Sequence, residues 1–350
     1  ARRSADSRRR AARARRDRAG TGRPGPVLVD ITKNAQNEMI DAPEYHKCES
    51  IRTYKAKPAL KHEQVDAAAE LINAAKKPYI LAGQGILLAD ATEELIAFTE
   101  KTGIPVACTL LGLGGIPTDH PNYVGFLGMH GNYGPNLNTN QCDVIIAIGM
   151  RFDDRVTGNV NKYAKQAKVV HIELDKAEIN KIIKADVAVH ADAKEALQEL
   201  IKKCAKNNHQ EWIDTFTKLN DIEYEKVIKE EFNPPGVLTM GEVINQLSLQ
   251  THGEAIVVTD VGQHQMTTSR YYKYKNPRTN VRSGGAGTMG FALPAAMGAK
   301  LGVPEKQVVA VIGDGGYQMT VQELGTIMQY KIPVKILVLN NNFLCMVRQW

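Results

Sequence analysis

The sequence predicts an α/β protein of two doubly wound parallel-sheet domains, and three observations carry that expectation. Short apolar runs alternate with longer stretches whose apolar residues recur at helical spacing. Several of the apolar runs end in glycine, as in PYILAGQG, VIIAIGM and VVAVIGDGG. Two polar stretches divide the pattern, and 350 residues suffice for two cores.

Taken in order, residues 1–20 (ARRSADSRRRAARARRDRAG) hold nine Arg and two Asp, a net +7. The whole chain carries +6, which leaves −1 for the other 330 residues, so the body is close to neutral. This tail has no aromatic residue for base stacking, which speaks against a nucleic-acid arm, and no apolar core of a secretory signal. It is expected to lie outside the fold. Residues 21–40 open on the turn TGRPGP and contain one expected strand, Val27–Ile31, with nothing before it to pair with. Residues 41–62 are polar and aperiodic, as a linker would be.

A first module is expected over 63–204. It comprises a helix Val65–Ala75, the strand PYILA, a helix Ala91–Thr102, strands in IPVACTL, QCDVIIAIGM and KVVHIEL, and the helix DAKEALQELIKKC. Residues 205–235, with the breaker NPPG, read as a second linker. A second module over 236–350 has strands in EAIVVTD, KQVVAVIGDGG and VKILVLNN, a Gly-rich segment, and a helix near Val321–Tyr330. No apolar run reaches the roughly 18 residues of a membrane span. The five cysteines form no C-x-x-C pair, which argues against a disulfide framework or a zinc site.

The sharpest chemistry lies in the second module. Gly313-Asp314-Gly315 follows an apolar strand, and 24 residues separate Gly315 from Asn340, room for a helix and a return strand. Asp314 and Asn341 would then share one carboxyl edge, where open parallel sheets bind ligands. An Asp carboxylate and an Asn carbonyl are hard oxygen donors suited to Mg²⁺ beside a diphosphate, and the glycines allow close approach of backbone N–H groups. The plainer alternative is a Gly-rich turn and an Asn helix cap. No G-x-G-x-x-G stands at a strand-to-helix turn, so a nicotinamide oxidoreductase is disfavoured.

This block resembles the thiamine-diphosphate and Mg²⁺ signature of the decarboxylating and carboligating enzymes. GMHGNYGPN (Gly128–Asn136) and IGMRFDDRVTGN (Ile148–Asn159) look like the acetolactate synthase (acetohydroxyacid synthase) middle domain, and the resemblance runs from about Thr21 to Trp350. It implies that residues 21–40 end an N-terminal pyrimidine-binding domain, that 63–204 form a central FAD-type domain, and that 236–350 form a truncated thiamine-diphosphate-binding domain. By resemblance Asp314, Asn341 and the main chain of Phe343 hold the metal. Gln263 and His264 meet the diphosphate, with Gly315 and Gly316 beside it, and Gly287, Thr288 and Met289 support the bent cofactor. FAD, in a structural and non-redox role, maps to Arg23, Gly83, Thr109, Leu110, Met129, His130, Gly131, Gly149, Arg151, Asp154, Val156, Glu173, Leu174 and Asp192. Glu173 and Asp175 suit ribose hydroxyls, or equally a helix N-terminus.

The implied activity is that of the large catalytic subunits, which decarboxylate pyruvate and join the remainder to a second pyruvate or to 2-ketobutyrate in branched-chain amino-acid biosynthesis. Arg155 would clamp the acceptor carboxylate, although without the resemblance it reads as a surface Arg paired with Asp153 or Asp154. Trp350 would favour 2-ketobutyrate. A homodimer or tetramer, a small regulatory subunit and a cytoplasmic setting (plastid or mitochondrion in a eukaryote) are also implied. The alternative is a sister enzyme such as glyoxylate carboligase or pyruvate oxidase. Three departures stand out. No residue matches the N-terminal Glu that activates the cofactor, so the chain alone is expected to be weakly active or inactive. Cys345 stands where a Gly is usual and would be strained if φ there were positive. Gly316 replaces a frequent Ser, which is expected to be harmless.

Overall fold

The computed structural model describes residues 20–26, 28, 30–37, 39, 55–232 and 236–348. Residues 1–19, 41–54, most of NPPG and Trp350 lie outside the described residues. Among the described residues there are two parallel sheets. The first holds β1 (Pro78–Ala82), β2 (Val106–Cys108), β3 (Tyr123–Phe126), β4 (Val144–Ile148), β5 (Lys168–Glu173) and β6 (Val187–His190), in the order β3-β2-β1-β4-β5-β6. The second holds β7 (Ile256–Thr259), β8 (Asn280–Arg282), β9 (Val308–Gly313) and β10 (Lys335–Leu339), in the order β10-β9-β7-β8.

The central strands β1, β4 and β9 are buried along their whole lengths, because helices cover both faces. That double burial is why they read as unbroken apolar runs. In β1 the side chains of Ile80 and Ala82 meet one cluster, which includes Leu95 and Phe98 of the helix Thr92–Thr102 and Leu197 and Leu200 of the helix Ala193–Lys203. Tyr79 and Leu81 point the other way, as period-two alternation requires. The first cluster runs on into the second module through Val257, Tyr272, Tyr274 and Val309, so the two modules are packed together.

Three edge strands, β3, β6 and β8, were not expected from the sequence. Each is three or four residues long and only partly buried, so its apolar signal is too short to register. The larger correction concerns 205–235. Instead of a linker it contains the helix Gln210–Glu223, continued by a single π-turn Tyr224–Ile228 and Lys229–Phe232. Trp212, Ile213 and Phe216 are buried from this helix. Phe216 is inaccessible, with ring centroids 5.0 Å from Tyr79 and 4.9 Å from Trp212, whose Nε1 donates to the Pro78 carbonyl at 2.9 Å. Three apolar side chains in a polar segment were enough to close the second face of the sheet. The expected strand Val27–Ile31 is not formed at its described residues. Leu28 and Ile31 are largely exposed, and Val27 and Val29 lie outside the described residues.

Candidate cofactor site at the carboxyl edges

β9 and β10 are parallel neighbours, and Leu339 at the end of β10 pairs with Gly313 at the end of β9. Asp314 opens the helix Asp314–Met319 directly after β9, and Asn341 lies two residues beyond β10. The two oxygen donors therefore leave adjacent strands, spaced by about 5 Å, at one edge. Asn341 donates through Nδ2 to Gln263 Oε1 at 3.2 Å and to Cys345 Sγ at 3.0 Å. Its Oδ1 accepts from the Phe343 N–H at 3.2 Å and keeps a lone pair for a further partner. The Phe343 ring is exposed and lies under the Arg348 guanidinium, 4.1 Å from its centroid. The positive φ in this turn belongs to Asn342, at 59°, while Cys345 opens the short helix Cys345–Arg348. The strain expected at Cys345 therefore does not arise.

His264 sits in the first turn of the helix Gln263–Tyr271, buried against Gly313. A Cβ at Gly313 would lie 2.9 Å from the ring, so only glycine lets strand and imidazole approach this closely. Burial lowers the His264 pKa from its ordinary 6.5, while Asp260 and Asp314 pull it back up. Its Nε2 is buried and has no hydrogen-bond partner among the described residues. A buried polar atom left open beside Asp314 fits a site whose partner is a ligand. Among the described residues no three His, Cys, Asp or Glu side chains converge on a metal-sized site. The candidate donors for a cation are thus one carboxylate, one amide and main chain.

Sequence reasoning missed Asp260, at the carboxyl end of β7, although an Asp closing EAIVVTD was a readable signal. It is inaccessible, and its carboxylate accepts from the N–H groups of Val261 (2.8 Å), Gly290 (3.0 Å) and Ala292 (3.1 Å). It thereby pins the segment that follows Gly287, Thr288 and Met289, where Gly287 has φ 64° and Gly290 φ 82°. The Met289 Cε comes within 3.7 Å of a Cβ placed on Gly315, and the Thr288 N–H donates to Ser283 Oγ at 3.0 Å. A Cβ on Gly316 would fall 2.6 Å from Asp260 Oδ1. Glycine fits at 316 without strain, whereas a side chain there would have no room unless Asp260 moved.

In the first module the strand order 3-2-1-4-5-6 is that of dinucleotide-binding sheets, with its switch point between β1 and β4. There Gly83 and Gly149 meet backbone to backbone. The Gly85 N–H donates to the Gly149 carbonyl at 2.8 Å, and Gly149 has φ 59°. A Cβ on Gly83 would lie 2.3 Å from that oxygen. Thr109 and Leu110 follow β2, and Met129, His130 and Gly131 follow β3. Arg151, Asp154 and Val156 follow β4, Glu173 and Leu174 end β5, and Asp192 follows β6. Thirteen of the fourteen expected residues, all but Arg23, thus gather along one carboxyl edge by fold alone.

Several of these already have partners. Asp192 caps the helix Ala193–Lys203 and pairs with Lys57 at 2.9 Å. Arg23 pairs with Asp175 and Glu178, both at 2.9 Å, and Arg151 with Asp153 at 3.2 Å. Arg155 is exposed and its guanidinium pairs with Asp154 at 3.0 Å, while its main-chain oxygen accepts from the Met129 N–H at 2.7 Å.

A cleft of about 460 Å³ opens between the modules, lined among others by Met129, His130, Gln263, Arg270 and Asn341. It places residues from both expected cofactor sets on one cavity wall. Burial, together with the positive charges of Arg270 and Arg155, lowers the His130 pKa and favours the neutral ring. Among the described residues no helix is long and apolar enough to cross a membrane.

Comparison with known proteins finds two family matches, the thiamine pyrophosphate enzyme central domain over residues 65–200 and the C-terminal TPP binding domain over 260–350. An acetolactate synthase large subunit of Lactococcus lactis is 42% identical over 344 residues, 95% of this chain and 57% of that one. One from Corynebacterium glutamicum is 43% identical over 341 residues, 94% and 53% respectively. The acetolactate synthase isozyme 3 large subunit of Escherichia coli is 40% identical over 337 residues, 95% and 58%. This chain spans little more than half the length of these relatives.

Proposed function

The chain belongs to the thiamine pyrophosphate enzymes and is homologous over nearly all its length to acetolactate synthase large subunits, and from that premise we propose that it takes part in acetolactate synthesis. The reaction is decarboxylation of pyruvate and carboligation to pyruvate or 2-ketobutyrate. The observation that carries the reading is the placement of Asp314 after β9, Asn341 after β10 and His264, with its open Nε2, after β7, at one carboxyl edge of neighbouring strands. When bound, thiamine diphosphate supplies the electron sink for decarboxylation and for transfer of the remaining acyl unit.

The chain's own residues bind and orient. Asp314 and the Asn341 amide oxygen, with main chain at Phe343, would hold a Mg²⁺, which would supply positive charge for the diphosphate. Gln263 and neutral His264 meet the diphosphate oxygens, and Gly313, Gly315 and Gly316 let backbone come close. Asp260 fixes Gly290 and so the approach of Gly287, Thr288 and Met289 to the cofactor ring. Arg155, released from Asp154, would clamp the acceptor carboxylate; Trp350, tied by the resemblance to 2-ketobutyrate preference, lies outside the described residues. The residues along the carboxyl edge of the first sheet would hold FAD as a structural group. Domain limits near 63–204 and 236–350, a homodimer or tetramer, a small regulatory subunit and a cytoplasmic setting belong to the same proposal.

Binding of thiamine diphosphate to the purified chain, followed calorimetrically with and without Mg²⁺, tests the reading. Binding should require the divalent ion and be lost in Asp314→Ala. Equal affinity without metal, or in the variant, would contradict it.

A further inference from the structure

The ion pair between Arg270 and Glu223 joins the two expected cofactor edges. Arg270 is near the end of the helix Gln263–Tyr271, whose first turn carries Gln263 and His264. Its guanidinium crosses to the other module. Nη1 donates to the main-chain oxygens of His130 at 3.2 Å and Gly131 at 2.9 Å, and Nη2 pairs with Glu223 Oε1. Glu223 ends the helix Gln210–Glu223, and its other oxygen accepts from the Tyr133 N–H and from Asn132 Nδ2, both at 3.1 Å. Both side chains are largely buried, 19% and 8% exposed, so the pair is poorly screened. One guanidinium and one carboxylate thus hold the loop after β3 at three backbone atoms and the Asn132 side chain, against a helix of the second sheet.

We propose that Arg270 is a positioning residue that couples the flavin edge to the diphosphate edge. The inference rests on the cofactor reading above. Met129, His130 and Gly131 can take a flavin-competent arrangement only when the helix that carries Gln263 and His264 is in register with them. Filling either edge therefore favours the arrangement the other needs, and the coupling is reciprocal. Arg270 suits this role because its rigid planar fork addresses two carbonyls and a carboxylate in a fixed geometry, which the single nitrogen of a lysine does not reproduce.

The test is a linkage cycle on the whole chain. FAD affinity is measured by fluorescence titration with and without saturating thiamine diphosphate and Mg²⁺, in the unsubstituted protein and in Arg270→Gln, Arg270→Lys and Glu223→Gln. The unsubstituted chain should bind FAD on the order of 5- to 150-fold more tightly when the second cofactor is present. In Arg270→Gln the ratio should fall to about 1 while each cofactor alone still binds, with Arg270→Lys and Glu223→Gln in between. Amide hydrogen exchange at Tyr133 should also quicken in Arg270→Gln with neither cofactor present. Both cofactors binding with undiminished linkage in Arg270→Gln, or with no linkage in the unsubstituted chain, would overturn this inference alone. An unsubstituted chain that binds neither cofactor would overturn the functional reading and the inference with it.

Discussion

Asp260→Asn is nearly isosteric, yet it should weaken the second module severely. The wild-type carboxylate accepts from three backbone N–H groups with its two oxygens, Oδ1 from Val261 and Gly290 and Oδ2 from Ala292. An asparagine offers one acceptor oxygen. If that oxygen keeps Val261 and Gly290, the new NH₂ faces the Ala292 N–H, donor against donor. A hydrogen bond to a charged group contributes about 1.5–3 kcal/mol, and an unsatisfied buried donor costs about 1–3 kcal/mol more. Removing a buried charge relieves some desolvation, which offsets part of the loss. The net expectation is a loss of about 2–4 kcal/mol. Urea unfolding followed by far-ultraviolet circular dichroism, at pH 7 and without cofactors, reads it directly. A loss below about 0.5 kcal/mol, the usual effect of a surface substitution, would show that Asp260 does not hold the start of the helix Ala292–Gly302.

Gly316→Ser should act through the same carboxylate, since its Cβ would stand 2.6 Å from Oδ1. A loss of about 1–3 kcal/mol is expected, and a combined variant with Asp260→Asn should be less than additive in urea unfolding. Phe216→Ala should cost about 3–5 kcal/mol by the same measurement, whereas a solvated linker would cost nothing. His171 is inaccessible, its Nε2 bonds the Met150 carbonyl at 2.9 Å and its Nδ1 has no partner among the described residues. Burial lowers its pKa, with the Met150 bond, Glu173 and Glu178 acting in the opposite direction. The unfolded chain therefore takes up the proton first. This contribution to stability is complete above the ordinary value of 6.5 and is lost as pH falls below it toward the folded pKa. Urea midpoints measured between pH 7.5 and 5.5 should fall less steeply in His171→Gln, by up to about 1.4 kcal/mol per pH unit; identical slopes would refute the assignment.

What the amino-acid string determined by itself is what local rules can carry. Strands such as Pro78–Ala82 and Val308–Gly313 are buried on both faces, so their composition alone marks them, and glycine at their ends marks a carboxyl edge. The common edge of Asp314 and Asn341 was legible as well, because the chain length between two strands allows a helix and a parallel return. Tertiary structure decided the rest, because those facts depend on partners distant in sequence. Only packing against Tyr79 turns Gln210–Glu223 from a polar stretch into a covering helix. Only the sheet order puts Gly83 against Gly149, and only the folded turn hands the positive φ to Asn342 in place of Cys345. The placement of Arg270 on a loop some 140 residues earlier follows no periodicity at all. A side chain's neighbours across the fold are chosen by burial and by the need to satisfy buried polar groups, and those costs exist only once the chain has closed on itself.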